Sequence, residues 1–407
     1  MGIISQWLLA SVASAQSNIY LNSLNYTTLF SSNKGNIHLG SLNINPLFSI
    51  SESYDDNIFD APNNETSDFI TVYSPGINLS APIKIIKSDI NVNYIANVLE
   101  YTRNSDQSHV DQYFDTTFKT VFPLGLGAIF HERFEDTELP PSFNYIYGEL
   151  VQRTRRRTND FSTTITLPQY FARLNPEFYY DNYDIQYDEF KDSSYNEQRI
   201  GTRLTYKLLT KINTLTEFNV GQTTYDTDVI SDSVFYESLV GVQLKETAKT
   251  EGTFKIGYRI RDYKDENFKQ FKGVVLSLES TTKLTDITNF SVLLRRSEEE
   301  AIFTPDRNFY ELNSIFLTLN RKLSSKIDAS ISNYYQFLNF PAINAGESDI
   351  RLFTIGIRPS LNYKIQKWLF ANISYWYDNR TSSSDNSVSG DLGRKKNVIT
   401  FTIGAAF

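Results

Sequence analysis

Basic side chains recur at intervals of two and four residues, as in Arg199, Arg203 and Lys207, and again in Lys255, Arg259 and Arg261. Even spacing puts such charges on one face of a β-strand, because side chains alternate across a strand with period two. Arg133, Arg173, Lys245, Arg295, Lys322 and Arg358 share that face in other stretches, as do the acids Asp115, Glu177, Asp181, Glu217, Glu237, Glu279 and Asp328. Opposite charges on neighbouring strands can brace a wall, each exposed pair being worth little. Alternatively, twelve cations against seven anions can concentrate anionic solutes between low-dielectric walls. In a chain of net charge −8, that second expectation places the excess acid elsewhere, mostly in external loops.

Other chemistry finds less support. Cysteine is absent, so neither disulfides nor thiolate sites are available. The three histidines, His38, His109 and His131, do not assemble by spacing into a Ser/His/Asp set, and no catalytic residue or cofactor is assigned. Gly125 and Gly127 open a strand from a tight turn, a context that excludes a phosphate loop. Asp55 and Asp56, with Asp60, Glu65 and Asp68, resemble a weak divalent-cation cluster or a solvated acidic surface bridged to lipopolysaccharide. RTRRRT at 153–158 suits phosphate groups such as those of lipopolysaccharide; a nucleic-acid partner is not expected of an acidic chain.

The elements that must carry these charges read as strands. In TFKIGYRIRDY (253–263), Phe254, Ile256, Tyr258 and Ile260 alternate with Lys255, Gly257, Arg259 and Arg261. RIGTRLTYKL (199–208) and FTIGIRPSLNY (353–363) repeat the split, and a helical period would scatter it. Mean hydropathy is −0.35 and no long apolar run follows the N-terminus, so a helical span is excluded. Aromatics nevertheless reach 14%. A transmembrane antiparallel up-and-down β-barrel reconciles these facts, since each strand shows only alternate residues to lipid.

Eighteen strands are predicted between residues 41 and 407, among them 148–167, 169–187 and a closing strand at 396–407. An even count lets first and last strands pair. Short connections at 123–127, 209–214, 283–286, 322–326 and 364–367 alternate with long polar ones at 54–68, 134–148, 296–306 and 377–396. That is the asymmetry of periplasmic turns and external loops. Residues 1–15 read as a signal peptide, with Ala13-Ser14-Ala15 before the cleavage point, or as a buried helix. Residues 16–40 read as a periplasmic lead-in. Strand-end aromatics suit interfacial girdles, while Trp368, Trp376, Tyr179, Tyr183 and Tyr334, read as inward, suit either packing or stacking on sugar rings.

SISESYDDNIFDAPNNETSDFITVYSPGINLSAP (49–82) carries Tyr54, Asp55, Asp56, Asn57, Ser67, Asp68, Pro75 and Gly76. It is similar to the opening hairpin of the putative β-barrel porin family 2. The strand pattern and the terminal Phe407 extend the resemblance over the chain after residue 40. The resemblance implies an outer-membrane protein of a Gram-negative bacterium, VpsM-like in kind, associated with exopolysaccharide or capsule synthesis and export; it supplies no catalytic residues. Expected partners are outer-membrane lipid and lipopolysaccharide, the barrel assembly machinery reading Phe407, an acidic exopolysaccharide and periplasmic export components. A diffusion porin for small anionic solutes and a surface platform with a plugged lumen stay open as alternatives.

Overall fold

The computed structural model describes residues 37–83, 87–138, 154–167, 173–227, 230–244, 249–301, 307–342, 348–383 and 392–407. The expected signal peptide, Lys245 and residues 139–153 lie outside these, as does the lead-in up to residue 36. Nineteen strands occur among the described residues. The short β1 (Ile37–Leu39) pairs with the start of β2 (Leu42–Asp55). Then follow β3 (Asp68–Ile83), β4 (Ser88–Tyr101), β5 (His109–Val121), β6 (Gly127–Thr137), β7 (Arg156–Thr166), β8 (Leu174–Tyr187) and β9 (Tyr195–Lys207). Next come β10 (Ile212–Tyr225), β11 (Ser233–Leu244), β12 (Thr250–Tyr263), β13 (Phe271–Thr285) and β14 (Thr288–Glu300). The wall is completed by β15 (Phe309–Lys322), β16 (Ile327–Phe340), β17 (Ile350–Lys364), β18 (Leu369–Ser383) and β19 (Arg394–Ala406).

Strands β2 to β19 each pair with their sequence neighbour, and β19 pairs antiparallel with β2 from Val398↔Asp55 to Ala406↔Leu47. The sheet is therefore a closed barrel of eighteen strands. Closure leaves no unpaired edge along the wall, as any sheet that crosses hydrocarbon requires. The period-two pattern decides which face is outward. On β19, Ile399, Phe401 and Ile403 are 51%, 48% and 44% exposed, while Thr400 and Thr402 on the other face are buried. So much outward apolar surface would be an aggregation hazard in water and is a requirement in lipid.

The ends of the strands depart from the predicted bounds in both directions. β7 begins at Arg156 and β8 at Leu174, whereas β18 runs on to Ser383 and β19 starts at Arg394. Strand extensions beyond the apolar band are polar on both faces and lose the alternation that marks a strand. They therefore read as loops.

At the short-turn end, taken as periplasmic, Phe407 stacks on Trp368 with centroids 5.4 Å apart, and its backbone N–H donates to Pro46 O at 3.0 Å. Trp368 thus faces outward, not into the bore as expected, and belongs with Tyr206 and Tyr363 in a girdle of exposed aromatics. Deleting Phe407 removes a closing hydrogen bond and this stack at once. The expected result is a reduced fraction of heat-modifiable, folded barrel in the outer membrane, with Phe407→Ala intermediate; an unchanged folded fraction in both variants would refute it.

Candidate functional site: the lumen wall

Register places the inward charges in ladders. Glu177↔Arg203↔Glu217 spans β8 to β10, Asp181↔Arg199 lies two pleats toward the external end, and Glu237↔Arg259 joins β11 to β12. Directly opposite residues on one face are the closest cross-strand neighbours, so opposite charges there meet. Arg203 donates through Nη1 to Glu177 Oε2 at 3.1 Å and through Nε to Glu217 Oε1 at 2.5 Å, and Lys255 Nζ lies 3.2 Å from Glu217 Oε1. Arg199 Nη2 lies 2.7 Å from Asp181 Oδ2 and Arg259 Nη2 2.8 Å from Glu237 Oε2. Aromatic faces complete the column: Tyr179 lies under Arg203 at 5.5 Å, and Phe235 lies between Arg259 and Arg261 at 4.8 and 4.9 Å. Buried cations survive in such a wall only with paired charge and hydrogen bonds around them.

The remaining predicted residues scatter. Arg295 pairs with Glu299 at 2.6 Å, and Arg133 lies 3.6 Å from Asp115, which also accepts from His131 Nε2 at 2.8 Å. Glu279 faces inward opposite Thr253, and Lys207 ends β9 opposite Asn213. Arg358 lies on Trp376 at 5.6 Å; Lys322 stands opposite Asp328, whose carboxylate takes Lys364 Nζ at 3.2 Å. Arg173 is a correction: it sits in a bend before β8, where its carbonyl accepts from Lys207 N–H at 2.8 Å, and it is not part of the strand wall.

A second correction concerns the acid. The run Glu298-Glu299-Glu300, read from sequence as external loop, turns into the bore. Pairing between β13 and β14 stops at Leu276↔Arg296, while β14 and β15 stay paired up to Glu300↔Phe309. The freed end of this hairpin crosses the inner face of β11 to β13. Arg261 Nε meets Glu298 Oε1 at 2.9 Å, Arg261 also pairs with Glu300, and Ser233 Oγ donates to Glu300 at 3.0 Å. Phe309 packs edge-on against Phe271 at 5.3 Å, and Asn308 Nδ2 donates to Lys269 O at 2.6 Å. With Glu135, Asp160 and Glu197 also on inward parity, the wall is charge-matched and the expected cation excess is not what lines it.

The opening acidic loop is likewise inside. Asp55 and Asp60 each lie 3.0 Å from Lys396 Nζ, and Arg394 bridges Asp60 at 2.8 Å and Asp378 at 3.1 Å. Asp56 accepts from the Asn397 backbone N–H at 2.7 Å, and Asp68 accepts from the backbone N–H of Arg103 and of Asn104 at 3.0 and 2.8 Å. The Asp55 and Asp56 carboxylates are thus engaged by side-chain and backbone donors rather than spread on a solvated surface. Ile58, on the same loop, is buried in a cluster with Ile70, Val72, Leu99, Tyr101, Tyr334, Trp376 and Val398. Residues 56–67 therefore form an inward latch. Burial would raise the Asp60 carboxyl, but the charges of Arg394 and Lys396 outweigh it and hold the group below its ordinary value. Trp376, buried and donating to Tyr334 Oη at 3.1 Å, is packed here and offers no open face for a sugar ring.

Toward the short-turn end the wall changes character. From β13 through β19 to β5 its inner face is largely neutral and polar, joined by contacts between Thr281 and Ser291 at 2.9 Å, Thr318 and Ser332 at 3.0 Å, and Ser330 and Ser360 at 2.7 Å. Asn372 and Asn362 at 2.7 Å, Thr402 and Ser51 at 2.8 Å, Asn45 and Asn78 at 2.8 Å, and Asn78 and Asn93 at 2.7 Å continue it. Sequence reasoning, fixed on charges, passed over this band; its signal was present as Ser, Thr and Asn at inward parity.

One solved structure gives the fold independently. OccAB3 from Acinetobacter baumannii superposes with a TM-score of 0.50 at 9% identity, covering 89% of this chain and 99% of that one. The outer membrane protein OpdK from Pseudomonas aeruginosa gives 0.48 at 7% identity, over 90% and 99%. No curated protein matches. The sequence itself matches the family described as "Putative beta-barrel porin 2" over residues 34–396. With the closed eighteen-stranded wall and its charge-laddered bore, this chain is a porin-like outer-membrane barrel that belongs to the Putative beta-barrel porin 2 family.

Proposed function

We propose that the barrel is a conduit through which a saccharide polymer leaves the periplasm. One observation carries the reading: the periplasmic half of the lumen is lined largely by hydroxyl and amide side chains, from the Thr281–Ser291 contact to the Asn78–Asn93 bond, interrupted by the apolar cluster of Leu47, Phe370 and Ala406. Such groups both donate and accept, as sugar hydroxyls do, and a neutral surface of this kind exchanges hydrogen bonds along a moving chain without holding any one residue tightly. The association with exopolysaccharide implied by the opening hairpin supports the same reading. In the deletion strain, loss of extracellular polymer with unchanged uptake of small solutes is the expected result.

A second reading, a diffusion porin for small solutes, is favoured by the two segments that narrow the external half: the latch at 56–67 and the β14–β15 hairpin. A deletion that leaves polymer intact and slows small-solute uptake would decide for it.

A further inference from the structure

On the neutral band, one cavity of about 450 Å³ between the periplasmic ends of β14 and β17 combines amides and hydroxyls with cations. Its volume is in the range of ligand pockets. Asn289, Asn320 and Asn362 supply amides, Ser330 and Ser360 hydroxyls, and Lys322 and Arg358 positive charge. Register explains the convergence. Asn289↔Asn320↔Ser330↔Ser360 forms one inward row, with Ser332↔Arg358 one pleat toward the external end and Lys322↔Asp328↔Asn362 one pleat toward the periplasm. Of the two carboxylates at the cavity, Asp328 is met by Lys364 and Asp286 sits in the turn between β13 and β14, while the Lys322 ammonium makes no ion pair among the described residues. The polar cluster thus presents both a charge for an anion and a neutral surface for hydroxyls.

We propose that this cavity is an entry subsite for a uronic-acid residue of a saccharide chain, with Arg358 and Lys322 receiving the carboxylate and the Asn and Ser rows receiving the ring hydroxyls. The planar guanidinium fork matches a carboxylate bidentately, and Lys322 adds a point charge on a flexible stem. This site rests on the saccharide-conduit reading but differs from a uniformly positive lumen: selection for acid is made at one place near the periplasmic mouth, and the ladders beyond it are charge-matched.

The test is binding to the purified full barrel in detergent, using tetragalacturonic acid, maltotetraose and inorganic phosphate as probes. Lys322→Gln, an exposed position, and the double variant Lys322→Gln/Arg358→Gln are both checked for heat-modifiable folding. The double variant is expected to bind the acidic tetramer about tenfold more weakly, the scale of one hydrogen bond to a charged group. Lys322→Gln alone should give part of that loss, and maltotetraose binding should be unchanged. Three results overturn the proposal: equal wild-type affinity for acidic and neutral tetramers, phosphate competing as well as the acidic tetramer, or acidic binding that survives the double substitution. A strain that secretes polymer normally without the protein would refute the conduit reading while leaving the subsite measurement standing, so the two failures are separable.

Discussion

Replacing Lys396 with Met is expected to release residues 56–67 from the bore. The Lys396 ammonium is 2% exposed and lies 3.0 Å from both Asp55, which is fully buried, and Asp60. Removing one partner of a buried ion pair typically costs about 3–5 kcal/mol, because the other charge is left uncompensated. Asp55 would keep the Asn57 N–H at 2.9 Å but no longer the ammonium, while Asp60 would retain Arg394. The loss therefore falls on the seam between β19 and β2 and on the latch that packs Ile58 against Trp376 and Tyr334. Amide exchange should accelerate at Ile58, whose N–H bonds Thr66 O at 2.9 Å, and the barrel's melting temperature should fall. Lys396→Arg, which keeps the charge, should retain most of the protection. Unaltered exchange across 56–67 in Lys396→Met would show that the ion pairs do not hold the latch. Acid should act more gently. Because Asp60's folded value lies below the unfolded 3.8, its contribution is present above that pH and is lost only as pH falls through the lower folded value.

Much of this was legible in the sequence because a barrel wall obeys one rule everywhere. Residues 253–263 alternate so regularly that their inward charges, register partners and lipid face follow from period two alone, and the last strand's Ile399, Phe401 and Ile403 mark closure. The rule stops at the apolar band. Residues 56–67 and Glu298 to Glu300 carry loop compositions that look the same whether a segment projects into water or folds back into a polar bore. What turns them inward is partners remote in sequence: Lys396 lies 336 positions from Asp60 in one hydrogen bond, and Arg261 lies 37 from Glu298 in another. Charge counting failed for the same reason. An inward Arg was recognisable on its strand, but some of the carboxylates that neutralise it, Glu298 and Glu300 beside Arg261 among them, lay in a segment assigned to the exterior.

Those hidden carboxylates give the sharpest expected change in transport. In the variant Glu298→Gln/Glu300→Gln, Arg261 keeps the Glu197 carboxylate, at 3.5 Å, and the hydroxyls of Thr223 and Ser233, and Arg259 keeps Glu237. Two negative charges leave a narrow, low-dielectric part of the bore, where field lines are focused rather than screened. The reversal potential of single channels under a salt gradient should move toward anion selectivity. Conductance should rise as well, since the β14–β15 hairpin loses the ion pairs that draw it over β12. The complementary variant Arg261→Met removes a cation that is 2% exposed, takes the arginine partner from Glu300 and leaves Glu298 with Arg259 alone, so selectivity should move toward cations. Opposite shifts from the two partners of one pair require that the pair line the ion path. If both variants fold, judged by heat-modifiable mobility, and neither moves the reversal potential, the hairpin lies beside the conducting route and the Arg-Glu column serves only to brace the wall. The same recordings with Arg203→Ser separate the alternatives further. Arg203 is bonded to the wall acids Glu177 and Glu217 and not to the hairpin, so its loss should shift selectivity toward cations without the gain in conductance that follows release of the hairpin.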